Sequence, residues 1–266
     1  MTGLLLEAMV EILGHCGSEV IVLARVSREV AQILQDSEEH SNTKRMRHAS
    51  SALVDIDTFH TFLTVETFNS VKSLQSYLED NFSEIFGTKY DVVSFLYSVV
   101  LTKGPDNIIT ERQDMEESLI DSVHGHGSQS LINLLLTGTA TQNVFDGDKD
   151  LCGLQLRGIT AQSNVGFLSY LECLRYLEVG KNLKSPVWPV WVLGSETHLT
   201  VLFSRNLQLV SPPSQRDLAR EQFSSFDTDN AGFISSDKLQ QLMQGLVPAA
   251  SDDLTQILSL QAGSLR

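Results

Sequence analysis

Between Pro186 and Val210 two short apolar runs are joined by the polar turn Gly194-Ser195-Glu196-Thr197, and His198 is the first residue after it. A side-chain period of two then places His198, Thr200, Leu202 and Ser204 on one face of a strand and Leu199, Val201 and Phe203 on the other. The expected result is a hairpin with an imidazole at its rim, held by the sheet yet open to solvent. That is where a general base belongs, because proton transfer tolerates little error in position. A surface histidine beside a turn fits the same spacing.

Both periodicities recur along the rest of the chain. Leu4 to Cys16 reads as an amphipathic helix with Leu5, Met9, Ile12 or Leu13, and Cys16 on one side, bracketed by Gly14 and Gly17. Apolar residues thus begin almost at Met1, which fits a truncated start and equally a short terminus. A strand is expected over Glu19 to Val26 and a short helix over Arg28 to Gln35, followed by a polar surface loop over residues 36–51. Alternation from Leu53 to Thr67 reads as extended. Two helices follow, Val71 to Phe86 with Leu74, Leu78, Phe82 and Ile85 as its stripe, and Tyr90 to Leu101, apolar nearly all round and so expected to be buried. A helix is predicted over Gln129 to Leu136, a strand over Leu156 to Ile159 and a long helix over Asn164 to Val179, with Leu168, Leu171 and Leu174 facing the core.

A chain of 266 residues can bury one sizeable core, or one core plus a small appendage. Its net charge of -14 repels phosphate backbones and acidic lipid surfaces, so neither nucleic acid nor a membrane is expected as a partner. No stretch is long and apolar enough to span a bilayer. The three cysteines, Cys16, Cys152 and Cys173, are widely spaced and odd in number, which points to a reducing compartment, nucleus or cytosol.

A general base needs a nucleophile, and a cysteine is activated by a helix N-terminus and a nearby imidazole. Cys16 lies at the wrong end of its helix, Cys173 lies inside one, and Cys152 follows three aspartates whose charge opposes thiolate formation. No Gly-x-Ser-x-Gly elbow is present either. His124 and His126 lack the further ligand of a standard metal spacing, and their glycines suit a tight loop. Asp146, Asp148 and Asp150 alternate like the start of a calcium loop, but Leu151 stands where that loop needs its glycine. Pro212-Pro213 marks a boundary between residues 1–212 and an appendage over 213–266. There a helix over Asp217 to Phe226, a loop from Asp227 with Gly232 at its centre and Ile234 pointing inward, and a second helix from Leu239 have the order of an EF-hand. Asp227, Asp229 and Ser235 occupy ligand positions. Ala231 cannot ligate through its side chain, and Lys238 stands where a bidentate glutamate belongs, so no metal is expected. No other cofactor is implied.

The segments Leu101-Thr102-Lys103-Gly104, His124-Gly125-His126-Gly127-Ser128-Gln129-Ser130-Leu131-Ile132-Asn133 through Gly138, Asn143-Val144-Phe145-Asp146-Gly147-Asp148, and Gly194-Ser195-Glu196-Thr197-His198-Leu199-Thr200 occur in that order. Together they resemble the MINDY family of ubiquitin-specific cysteine peptidases, in particular the branch of its third and fourth members, with the EF-hand-like appendage pointing to the third. The resemblance implies an α+β fold, an incomplete papain-like cysteine peptidase domain with an EF-hand-like helix-loop-helix appendage. It further implies a ubiquitin-chain isopeptidase preferring chains joined through the forty-eighth residue of ubiquitin, a lysine, with ubiquitin and polyubiquitin as partners. His198 matches the family's catalytic histidine. The family's nucleophile lies in a Gly-Gly-Pro-Cys stretch upstream of the region matched by residues 1–16, and the sequence stops before further catalytic-domain residues, so this chain is expected to be inactive alone. Asn206, at the turn into the next strand, is the candidate to orient His198 and has no family support. The non-enzymatic alternative is a ubiquitin-binding or regulatory interaction module.

Overall fold

The computed structural model describes residues 2–17, 19–33, 56–113, 117–121, 123–195, 198–211, 219, 222–223, 225–227 and 232–246. The expected loop over 36–51 lies outside them. The chain divides into two compact units, Met1–Val210 and Ser211–Arg266.

The first unit opens with α1 (Thr2–Cys16) and β1 (Ile21–Val26), then α2 (28–33) and α3 (Ile56–Thr61), and β2 (Leu63–Phe68) returns antiparallel to β1 with Ile21 opposite Phe68. Helices α4 (Val71–Ile85) and α5 (Asp91–Lys103) follow. The buried stripe of α1 is Leu6, Met9, Val10, Leu13 and Cys16, whereas Leu5 is exposed, one position off the expected face. Leu6, Val10 and Leu13 meet Leu23 of β1, Leu74 and Leu78 of α4 and Val99 of α5 in the largest apolar cluster. Ser70 starts α4 by accepting from the N–H of Ser73 at 3.2 Å, an N-cap that satisfies one of the helix's orphan donors.

Helix α5 is buried on its hydroxyl side. Ser94, Ser98, Val99 and Thr102 are covered while Val92, expected inside, is 72% exposed. The cause lies in β1, whose second edge has no neighbouring strand among the described residues. There Ser98 Oγ accepts from the N–H of Ala24 at 2.8 Å and lies 3.2 Å from its carbonyl, and Thr102 Oγ1 does the same for Val22 at 2.9 and 3.1 Å. Two hydroxyls thus satisfy backbone groups that would otherwise be buried unpaired.

Gly104 separates α5 from α6 (Pro105–Arg112), whose Pro105 needs no N–H in the first turn. Of the extended stretch expected over Leu53 to Thr67, Leu63 to Thr67 lies in β2, Ile56 to Thr61 is instead α3, and Leu53 to Asp55 lie outside the described residues. Helix α7 (Gln129–Thr137) is capped by Ser128, which accepts from Leu131 N–H at 3.3 Å, and ends at Gly138 with φ +73. A Cβ on Gly138 would lie 2.2 Å from the carbonyl oxygen of His15, so the glycine permits both the left-handed stop and the close approach of α1.

Strands β3 (Lys149–Leu151) and β4 (Leu154–Leu156) form a small hairpin. The region expected as one long helix is β5 (Gly166–Ser169) followed by the single turn α8 (Tyr170–Cys173). Helix α9 (Lys181–Lys184) leads to β6 (Val190–Gly194), which pairs parallel to β5, and β7 (Leu199–Phe203) returns antiparallel beside β6. Phe167 of β5 packs with Val144, Ile159, Val179 and Leu183 in a second apolar cluster. After β7 the expected further strand is a 3₁₀ turn, Leu207–Val210, and among the described residues β7 is the edge of its sheet. In the second unit α10 (Ser236–Leu246) is the long described helix. The described residues thus mix helices and strands in an α+β arrangement, and none of their helices is long and apolar enough to cross a membrane.

Candidate active site

Strand β6 is the anchored half of the hairpin. Trp191 is buried, and its indole N–H donates to the carbonyl of Lys184 at 2.9 Å, while Ser169 of β5 sits opposite Gly194. At the turn, Ser195 donates to the carbonyl oxygen of His198 twice, from its backbone N–H at 2.9 Å and from Oγ at 3.1 Å. These bonds fix the backbone of His198 and leave its imidazole exposed at the rim of the sheet. Glu196 and Thr197 lie outside the described residues. All five residues of β7 are exposed, Val201 and Phe203 at 67% and 71%, on the face opposite to that of His198.

Asn206 does not orient that ring. It follows the far end of β7, and a strand of five residues spans about 17 Å. Its Oδ1 accepts from the N–H of Gln208 at 3.0 Å, and its own N–H donates to Ser204 Oγ at 3.1 Å. Asn206 therefore starts the 3₁₀ turn, and among the described residues no side chain hydrogen-bonds to the His198 imidazole.

Cys16 is buried at the end of α1, its Sγ 3.8 Å from the carbonyl of Leu134, and burial pushes its thiol up to about 11. Nearby Lys103 opposes that shift only in part. Cys152 is exposed in the β3–β4 turn, and Cys173 is exposed on α8, which continues a strand separated from β7 by β6. A cavity of about 450 Å³ lined by Cys16, Thr102, Lys103 and Asn107, and one of about 120 Å³ lined by His15, Thr137, Thr160 and Asn164, do not include His198.

His124 and His126 stack with centroids 5.7 Å apart, and His124 Nδ1 is 3.4 Å from Asp121 Oδ2. The N–H of Val123, followed by that of His124, holds the Asp121 carboxyl below its ordinary range. Among the described residues no three His, Cys, Asp or Glu side chains are grouped to hold a metal ion. The three alternating aspartates serve separate turns. Asp146 accepts from the N–H groups of Lys181 and Asn182 at 2.7 and 2.9 Å, Asp148 from Gly158 at 3.3 Å, and Asp150 from Gly153 at 2.7 Å. In the appendage, Asp227 Oδ2 accepts from Gly232 N–H, Ser235 begins α10 through its carbonyl, and Asp229 lies outside the described residues.

Sequence reasoning passed over Asn133. It is fully buried on α7, with Nδ2 donating to the carbonyls of Thr141 and Asn143 at 2.8 and 3.0 Å and Oδ1 accepting from Gln129 at 2.9 Å. An amide in the middle of an apolar helix was the available signal.

Residues 2–223 match the family described as "Deubiquitinating enzyme MINDY-3/4, conserved domain". The chain belongs to that family. It is similar to the human "Ubiquitin carboxyl-terminal hydrolase MINDY-3", 43% identical over 238 residues that make up 87% of this chain and 53% of the relative. The protein of that name from Xenopus tropicalis is 39% identical over 266 residues, 95% of this chain and 60% of the relative. "Probable ubiquitin carboxyl-terminal hydrolase MINDY-4" from Bos taurus is 33% identical over 157 residues, 56% of this chain and 20% of that one. The chain thus spans about half the length of its human MINDY-3 relative. No solved structure matches it. Several residues of the motifs that mark this MINDY-3/4 chain have visible structural work: Thr102 closes the β1 edge, Ser128 caps α7, Asn133 ties α7 to the following loop, and Asp146 holds the start of α9.

Proposed function

We propose that His198 is the general base and acid of a cysteine-type ubiquitin isopeptidase centre acting on chains joined through the forty-eighth residue of ubiquitin, a lysine. The supporting observation is its placement: an exposed imidazole whose backbone is fixed by Ser195, inside the stretch that matches the MINDY-3/4 domain. In this reading a cysteine thiolate attacks the isopeptide carbonyl after ubiquitin's terminal glycine. His198 protonates the departing lysine amine and then activates water to release ubiquitin from the thioester.

None of the three cysteines is suited to that attack. Cys16 is buried and protonated, Cys152 lies in a separate hairpin, and Cys173 follows a strand on the other side of β6. In this reading these 266 residues supply the histidine of the centre without a suited thiol, and no cleavage by them alone is expected. The free thiols fit a reducing compartment, cytosol or nucleus.

Incubating the purified chain with tetraubiquitin of the preferred linkage tests this reading. No cleavage is expected. Cleavage that persists after His198→Ala and replacement of all three cysteines would overturn it.

A further inference from the structure

The second unit contains a cation of its own at the place where a calcium loop would use a carboxylate. Gly232 has φ +80, and its N–H donates to Asp227 Oδ2 at 2.8 Å, the bond expected between the sixth and first positions of a twelve-position calcium loop. The chain enters from a helical turn in which Asp227 N–H donates to Phe223 O at 3.0 Å, and leaves through Leu239 N–H donating to Ser235 O at 2.9 Å. Lys238 falls at the twelfth position, where calcium loops place the glutamate that grips the ion with both oxygens. Its Nζ donates to the carbonyl of Phe226 at 2.9 Å.

We infer that the Lys238 ammonium is the built-in cation at this place, tying the first turn of α10 to the helical turn that ends at Phe226, where a calcium loop would carry its carboxylate. The carbonyl of Phe226 is an end-of-helix acceptor, and a cation is the favoured partner at the negative end of a helical turn. A calcium ion entering the same loop would meet a fixed positive charge where it needs two carboxylate oxygens. The expected consequence is a calcium-indifferent element that depends on one lysine.

Hydrogen exchange and amide spectra of the full chain, with and without millimolar calcium or a chelator, test this. In the wild-type chain the Gly232 amide and the exchange of residues 236–242 are unchanged by calcium. Lys238→Met keeps most of the side-chain stem and removes the charge and donor. It should speed exchange of Gly232 and the first turn of α10 about tenfold or more, with strands β6 and β7 unaffected. A calcium-induced shift of the wild-type Gly232 amide would overturn the inference, and so would unchanged exchange in Lys238→Met. The calcium comparison on the wild-type chain stands even where the variant fails to fold.

Discussion

The carbonyl oxygen of His198 accepts both the N–H and the hydroxyl of Ser195, at 2.9 and 3.1 Å, so one serine sets the backbone from which the exposed imidazole projects. Removing the hydroxyl leaves the backbone bond in place at a solvent-exposed turn. Ser195→Ala should therefore lower stability by no more than about 1 kcal/mol in a urea melt. Faster amide exchange should stay confined to the β6–β7 turn. Exchange spreading into β5 would mean that the turn supports the sheet rather than only the histidine.

Ser98 and Thr102 take the place of a third strand beside β1. Ser98→Ala would leave the buried N–H of Ala24 without its acceptor and remove the one hydroxyl proton shared between the carbonyls of Ser94 and Ala24, for a loss of roughly 1–3 kcal/mol. Thr102→Val keeps the shape and should cost less, because that site is less completely covered. Equal or negligible losses in equilibrium unfolding would contradict the role of the hydroxyls as edge partners.

These hydroxyls also mark how far the sequence could be read. The stripe Leu74, Leu78, Ile85 was legible because α4 packs one apolar face on the core, the case in which a helical period maps onto burial. In α5 the same rule failed, since the need to satisfy the backbone of Val22 and Ala24 outweighed the burial of Val92. Leu168, Leu171 and Leu174 imitate a helix, yet Gly166–Ser169 pairs with β6 and Leu174 is exposed, because pairing partners far along the chain decide between strand and helix. The rim position of His198 was legible from a polar turn between two apolar runs. The fate of Asn206 was not, because its own Asx-type bond to Gln208 N–H converts the expected hairpin into a 3₁₀ turn.

Asn133 is the buried polar joint of the first unit. Asn133→Leu would strip the carbonyls of Thr141 and Asn143 of their donor and leave Gln129 without its acceptor, so a loss of roughly 2–4 kcal/mol is expected. Chemical denaturation measures it. A change below about 1 kcal/mol would show that the 139–143 loop does not depend on this amide.

Cys16 carries a pH signature. Its thiol ionises near 11 in the folded chain against an ordinary value of 9.0, so the unfolded chain loses this proton first as pH rises. The contribution is fully present below about pH 9 and is lost as pH climbs toward 11, a fall of roughly 2–3 kcal/mol across that window. Stability curves of wild type and Cys16→Ala should converge there. Alkylation at pH 8 should reach Cys152 and Cys173 before Cys16, and prompt modification of Cys16 would contradict its burial.

A titration of the labelled chain with ubiquitin, followed through the His198 ring proton resonances, tests the proposed site most directly. Saturable shifts at His198 and at Thr200 and Leu202 on the same strand face are predicted, with ubiquitin recovered intact. Binding that leaves His198 and β7 unmoved, or no binding at all, would contradict the assignment of this histidine to a ubiquitin-processing centre.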